Sequence, residues 1–297
     1  MKWRMFICAI CFLIGGCSLN IPLEDQFSDP DAITDVLSAR SLLASAYKAM
    51  PQQIFQLSVL SDDFCPSQHL NKDMSLQGLY NWREVEMTEL AGTLWAGYYA
   101  VIAEVNALLA RIDAVVTLDE TEKLEKMRIV CEAKALKSWC YFDLLRLFAP
   151  RYEGNENKDG IILKKRVELD FLPRSSVKEC VTEIRTLLNE ARNVDNTQKN
   201  VYWLSDKAVA YLQVELELYA GNYPAVLELT KDLETEYPES VLGADVYKYL
   251  WSSENSDARI FGKYQLEQIY MDIRFDTFEK GDYLVLSQNV DYEEEDI

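Results

Sequence analysis

The chain has 297 residues, 49 acidic and 30 basic, giving a net charge of −19 with a single histidine. An acidic balance of that size excludes a phosphate-backbone reader, which needs basic patches. One histidine, His69, excludes a histidine-rich metal site, and nothing near it in the sequence suggests a Ser-His-Asp or Cys-His arrangement.

The N-terminus reads as a secretory signal. Lys2 and Arg4 precede an apolar run from Met5 to Ile14, and Gly15-Gly16-Cys17 closes it. The run is too short to span a bilayer permanently. Ile14-Gly15-Gly16-Cys17 is similar to the bacterial lipobox, which makes Cys17 the acylated first residue of the mature chain and residues 1–16 the signal. Multiple acyl chains, at about 0.8 kcal/mol per buried methylene, anchor stably. The alternative is a secreted protein whose Cys17 merely falls near the cut. No later stretch reads as apolar enough to cross a membrane.

Residues 18–26 read as an extended tether. Asp29-Pro30 is expected to open a helix carrying Ile33, Val36, Leu37, Leu42, Leu43, Ala46 and Tyr47, stopped by Met50-Pro51. A second helix is expected over Leu90–Ile112, with Leu94, Trp95, Tyr98, Val101, Ile102, Val105 and Leu108 on one broad face. A third runs from Glu120 to Phe148, ended by Ala149-Pro150. Ser176 and Glu179 form a capping box for a helix to about Asn193. Ser205 caps another through Leu218, and Gly221-Asn222-Tyr223-Pro224 turns into a return helix reaching Glu236. That hairpin matches a tetratricopeptide unit, with Val226 where a small residue is usual. Such units bury their apolar faces only by stacking. Arg259–Tyr264 looks like a strand, and the acidic end is expected to fray. The fold class is therefore all-α: stacked helical hairpins with irregular loops and a small β/loop region at the C-terminus.

Four segments together resemble the SusD/RagB family of surface lipoproteins from glycan-uptake systems. They are Ile21–Asp35, Leu94–Tyr99 leading into Val105–Ile112, Glu132–Leu136 with Tyr141–Phe148, and Leu172–Val177 followed by the Tyr219–Tyr223 turn. The likeness runs in family order from Cys17 to about Tyr264 and covers only the first half of a family member. It implies a helical domain over 17–250 and a partial C-terminal region over 251–297. It also implies an outer-membrane, lipid-anchored protein facing the exterior, which passes oligosaccharides to a TonB-dependent, SusC-like transporter. Much of the family's sugar-contacting surface comes from loops beyond this point. A scaffold that docks on the transporter without its own ligand site is the second reading, and a secreted glycoside hydrolase the third. The expectation is a non-enzyme with no cofactor, no metal and no nucleic-acid partner.

Sugar sites set aromatic rings under pyranose C–H faces and use Asn, Asp or Arg for hydroxyls. Tyr80-Asn81-Trp82-Arg83, in an expected loop after Gly78, offers that set: Trp82 to stack, Asn81 and Arg83 to bond hydroxyls. The commoner role for such a Trp is a loop anchor tucked against the scaffold. Trp95, Trp139, Tyr141, Phe142 and Phe148 read as packing, and Asp143 and Arg146 as a structural pair at helical spacing. Asn155-x-Asn157-x-Asp159-Gly160 imitates a calcium loop, but Arg166 stands where a bidentate Glu is required, so a polar connector describes it better. Asp62-Asp63 is a loop carboxylate pair of the kind hydrolysis uses, although such pairs are equally helix caps or solvated turn residues. Cys65, Cys131, Cys140 and Cys180 permit disulfides; buried small hydrophobes are the simpler account.

Overall fold

The structure is a computed structural model and describes residues 33–66, 74–168, 170–192, 202–236, 260–262, 273–274 and 283–285. Cys17 with its signal, Asp29-Pro30, His69 and the acidic end lie outside those residues.

Helix α1 (Val36–Lys48) is capped by Asp35, whose carboxylate accepts from the Ser38 amide while Ser38 Oγ accepts from the Asp35 amide. Two seven-residue helices absent from the sequence reading follow, α2 (Ile54–Leu60) and α3 (Met74–Tyr80). Helix α4 (Glu84–Arg111) starts well before the expected Leu90, with Glu84 and Glu86 favouring its positive N-terminal end. Helix α5 (Glu120–Phe148) matches the expected bounds, and Asp119 caps it by accepting from the Glu122 amide. Helix α6 (Val177–Ala191) opens with the expected Ser176–Glu179 capping box. Helix α7 (Asp206–Tyr219) takes Ser205 as its cap. Gly221, at φ 70°, supplies the left-handed turn into α8 (Tyr223–Glu236).

Helix α5 is the spine, packed against α1, α4 and α6. Its Ile129, Ala133, Leu136, Cys140 and Leu144 are inaccessible to solvent, as are Val101, Ile102 and Val105 of α4 and Ile184 of α6. Each such Leu, Ile or Val contributes roughly 1.5–3 kcal/mol relative to exposure. The fold is thus the all-α stack of hairpins that the periodicities specify. One expectation is corrected: Glu84–Ala114 is long and apolar enough, by length and composition, to cross a membrane. Here its apolar stripe faces α1 and α5, as the core helix of a packed bundle does.

Three short strands form a sheet, β1 (Phe64–Pro66), β2 (Ile273–Arg274) and β3 (Tyr283–Val285), with β3 central. β3 runs antiparallel to β1 and parallel to β2, so C-terminal chain returns to the α2–α3 connection. Within the expected Arg259–Tyr264 strand, Ile260-Phe261-Gly262 has no regular structure. Phe261 instead sets its ring edge on Trp139, with centroids 4.9 Å apart. No disulfide joins the four described cysteines to one another; Cys131, Cys140 and Cys180 are buried and Cys65 is half-buried.

Candidate functional site

Tyr80 ends α3, and Asn81-Trp82-Arg83 are the short connection to α4, so the expected loop is three residues long and starts after Tyr80 rather than after Gly78. Trp82 N–H donates to Leu79 O at 3.0 Å, and Arg83 N–H to Gly78 O at 2.9 Å. Those two bonds are the Schellman pattern, whose turning residue lies in the left-handed region and is usually glycine. Here it is Trp82, at φ 55°. An L-residue there costs roughly 1–2 kcal/mol, and a bulky one is a genuine outlier. The strained turn lifts the indole away from the scaffold and leaves it 64% exposed, which overturns the tucked loop anchor.

Its neighbours are committed locally. Asn81 Nδ2 donates to Gln77 O at 2.7 Å. Arg83 pairs with Glu86, and the pair lies over Gly78, where a Cβ would collide with the Glu86 carboxyl. Interaction with the neighbouring Cys65 thiol pushes the Tyr80 phenol pKa up. The structure therefore brings all four residues onto one turn, with Trp82 the largest exposed group, Asn81 and Arg83 exposed beside it and Tyr80 half-buried. Asp62 is also left-handed, at φ 67°, and Asp63 accepts from Ser61 Oγ at 2.9 Å, so this pair shapes the turn after α2.

Two cavities flank the bundle. One, of about 590 Å³, lies between α5 and α7, with Trp139, Phe142 and Tyr211 as walls and Arg146 and Glu215 among its polar groups. Arg146 pairs with Asp143 at 2.6 Å, the expected partner, and stacks 4.5 Å from the Phe142 ring centre. The other, of about 550 Å³, lies between α4 and the 162–173 segment and is lined by Trp95 and Tyr99. Tyr141 and Phe142 are buried as expected, whereas Trp95 and Trp139 are only half-buried and face these cavities.

The interior holds a polar network that the sequence reading missed. Glu132 is 1% exposed; it takes a fork of bonds from Arg40 at 2.9 and 3.0 Å, and the Tyr47 hydroxyl sits 3.4 Å away. Burial pushes the Glu132 carboxyl up to about 7, against the pull of Arg40. Arg40 also binds Glu125 and lies over the Trp203 ring, so α1 is tied to α5 and to the approach to α7. Lys137 donates to Asn106 Oδ1 at 2.6 Å, and burial lowers its ammonium to about 8. Asn106 and Tyr141 both donate to Lys164 O, at 2.9 and 2.6 Å. The signal was legible in principle: Glu132 and Lys137 fall among the apolar positions of α5, and buried charges are paired.

The calcium-like segment forms turns in which Asn155 Nδ2 donates to Arg151 O and Glu153 O. Among the described residues no group of three His, Cys, Asp or Glu gathers to hold a metal.

A family profile described as "Starch-binding associating with outer membrane", SusD-like, matches residues 23–215, more than half of the chain. The chain belongs to the SusD-like family. Solved structures agree on the fold. A SusD superfamily protein from Bacteroides vulgatus superposes with a TM-score of 0.64 at 20% identity, covering 77% of this chain and 54% of that one. A protein from the same organism, described as sugar-binding, gives 0.63 at 21% identity, with 77% and 54% covered. A laminarin-binding SusD-like protein gives 0.56 at 19% identity, covering 76% and 50%. This SusD-like chain spans about half the length of the solved structures it matches. No curated protein matches it.

Proposed function

We propose that this SusD-like chain binds glycan and performs no catalysis. The single observation that carries the reading is Trp82, a large aromatic held exposed in a backbone conformation that favours glycine. Strain of this kind persists where the surroundings over-determine it, and it concentrates at ligand-contacting positions. The indole stacks on a pyranose face, and the Arg83 guanidinium, which is exposed beyond its bond to Glu86, meets hydroxyls beside it together with Asn81 and Tyr80. The family profile's description as starch-binding supports the ligand class.

The same proposal takes residues 1–16 as signal, Cys17 as the lipid attachment, 17–250 as the helical domain and 251–297 as a partial C-terminal region. It places the protein on the exterior face of the outer membrane, beside a TonB-dependent, SusC-like transporter that receives the oligosaccharide. Titration calorimetry with maltoheptaose, laminarihexaose and a wider oligosaccharide panel tests it. Binding is expected, with Trp82→Ala weakening it by at least about 1 kcal/mol, the threshold that separates anchoring contacts from peripheral ones. No affinity for any glycan, alongside retained capture of the transporter, would favour the docking scaffold.

A further inference from the structure

Helix α4 carries a second aromatic surface, remote from Trp82. Trp95 and Tyr99 are one turn apart, with centroids 4.9 Å apart and planes at 50°. Both rings are fixed. The Tyr99 hydroxyl donates to Ile162 O at 2.8 Å and accepts from Ile162 N–H at 2.9 Å. The Arg174 guanidinium lies 4.9 Å from the Trp95 ring centre and is itself held by Phe148 O and Gly160 O at 2.9 and 2.8 Å. The facing wall is the segment that carries Lys164, Asp170 and Phe171. Phe171 is wholly exposed, and Lys164 and Asp170 form an ion pair.

We infer that this groove is a second carbohydrate subsite, taking a neutral hexopyranose unit; the inference rests on the glycan-binding reading above. Its volume of about 550 Å³ falls within the range of about 300–1,000 Å³ of small-ligand pockets. The aromatic walls match the apolar face of a sugar ring. Lys164 and Asp170 neutralise each other, so they offer a donor and an acceptor for hydroxyls without selecting a charged ligand. The floor is pre-organised, because Tyr99 and Trp95 are locked before any ligand arrives, and little ordering entropy remains to oppose binding. The Arg174 guanidinium is taken up by the Trp95 ring and by Phe148 O and Gly160 O, and a cleft of this volume suits a saccharide better than the broad face a protein partner needs. Trp95 lies eleven positions beyond Glu84, the first residue of α4, about 16 Å along the helix axis, and Trp82 lies in the turn before that helix, so the two contacts are separate subsites.

The test is calorimetric titration of the whole chain with a panel of tri- and heptasaccharides, comparing wild type, Phe171→Ala, Lys164→Met/Asp170→Leu and Trp82→Ala. Each groove variant is expected to lower affinity for at least one glycan at least about tenfold, the loss expected from an anchoring aromatic contact. Phe171 is exposed, so its truncation leaves the unfolding midpoint in place and keeps folding out of the result. If wild type binds, Trp82→Ala loses affinity and both groove variants bind normally, the subsite is wrong while the functional reading stands. If Phe171→Ala keeps glycan affinity but loses capture of the transporter, the groove is a protein interface and the inference falls. Wild type that binds no glycan removes both readings.

Discussion

Two Arg–Glu ion pairs of this molecule, one interior and one at the surface, have opposite consequences. In the interior, Arg40 and Glu132 join α1 to α5, with the carboxylate nearly inaccessible and Tyr47 and Glu125 completing the cluster. At the surface, Arg83 and Glu86 pair across Gly78 with the arginine largely solvated. Breaking a buried pair strands a charge, whereas an exposed pair only exchanges protein contacts for water. The interior is built to be unique, and the turn is built to present one ring. Strain is tolerated only in the second, because the first carries the stability.

The sharpest way to break this contrast is Glu132→Ala. It is expected to cost about 3 kcal/mol in urea unfolding, the low end for a broken buried pair because Arg40 keeps Glu125; a loss below about 1 kcal/mol would place the network at the surface in energetic terms. Its pH dependence follows from the direction of the shift. The folded carboxyl titrates near 7, above its ordinary 4.5, so the folded state holds the proton longer. The associated stability is complete below about 4.5 and is lost as pH rises through 7. Unfolding measured from pH 4.5 to 8 should show that decline in wild type, and a flatter profile for Glu132→Gln.

Trp82→Gly should move stability the other way. Glycine relieves the left-handed turn and is expected to add about 1 kcal/mol, while glycan affinity falls. A variant that is less stable, or that binds as before, would show that Trp82 is held for packing. The smallest effect belongs to Arg83→Ala, expected to change stability by less than about 1 kcal/mol. Its thermal midpoint compared with that of Glu132→Ala reads the contrast directly.

The long helices were legible because their apolar residues recur at helical spacing over many turns. The α5 bounds and the Ser176–Glu179 box follow from Asp119, Ala149-Pro150 and the capping chemistry. Helix α4 was placed late because its first turns, from Glu84 to Glu89, carry charges and no full apolar stripe. Helices α2 and α3 span too few turns for a period to emerge, and α3 contains Gly78. At the candidate site, residue types alone picked out Trp82. Its exposure could not be read, because the left-handed cap that produces it is written in glycine elsewhere, as at Gly221. The role of Glu132 is not legible from residue type alone, because its burial and its partner Arg40 are set by the packing of α1 on α5.

Cys65 offers a practical consequence. Among the described cysteines it alone is not buried, and it lies on β1 in contact with Tyr80, two positions from Trp82. Maleimide chemistry on the native fold would therefore mark this position in preference to Cys131, Cys140 and Cys180. A dye attached there gives a built-in optical readout of the indole's surroundings, with no engineered handle needed.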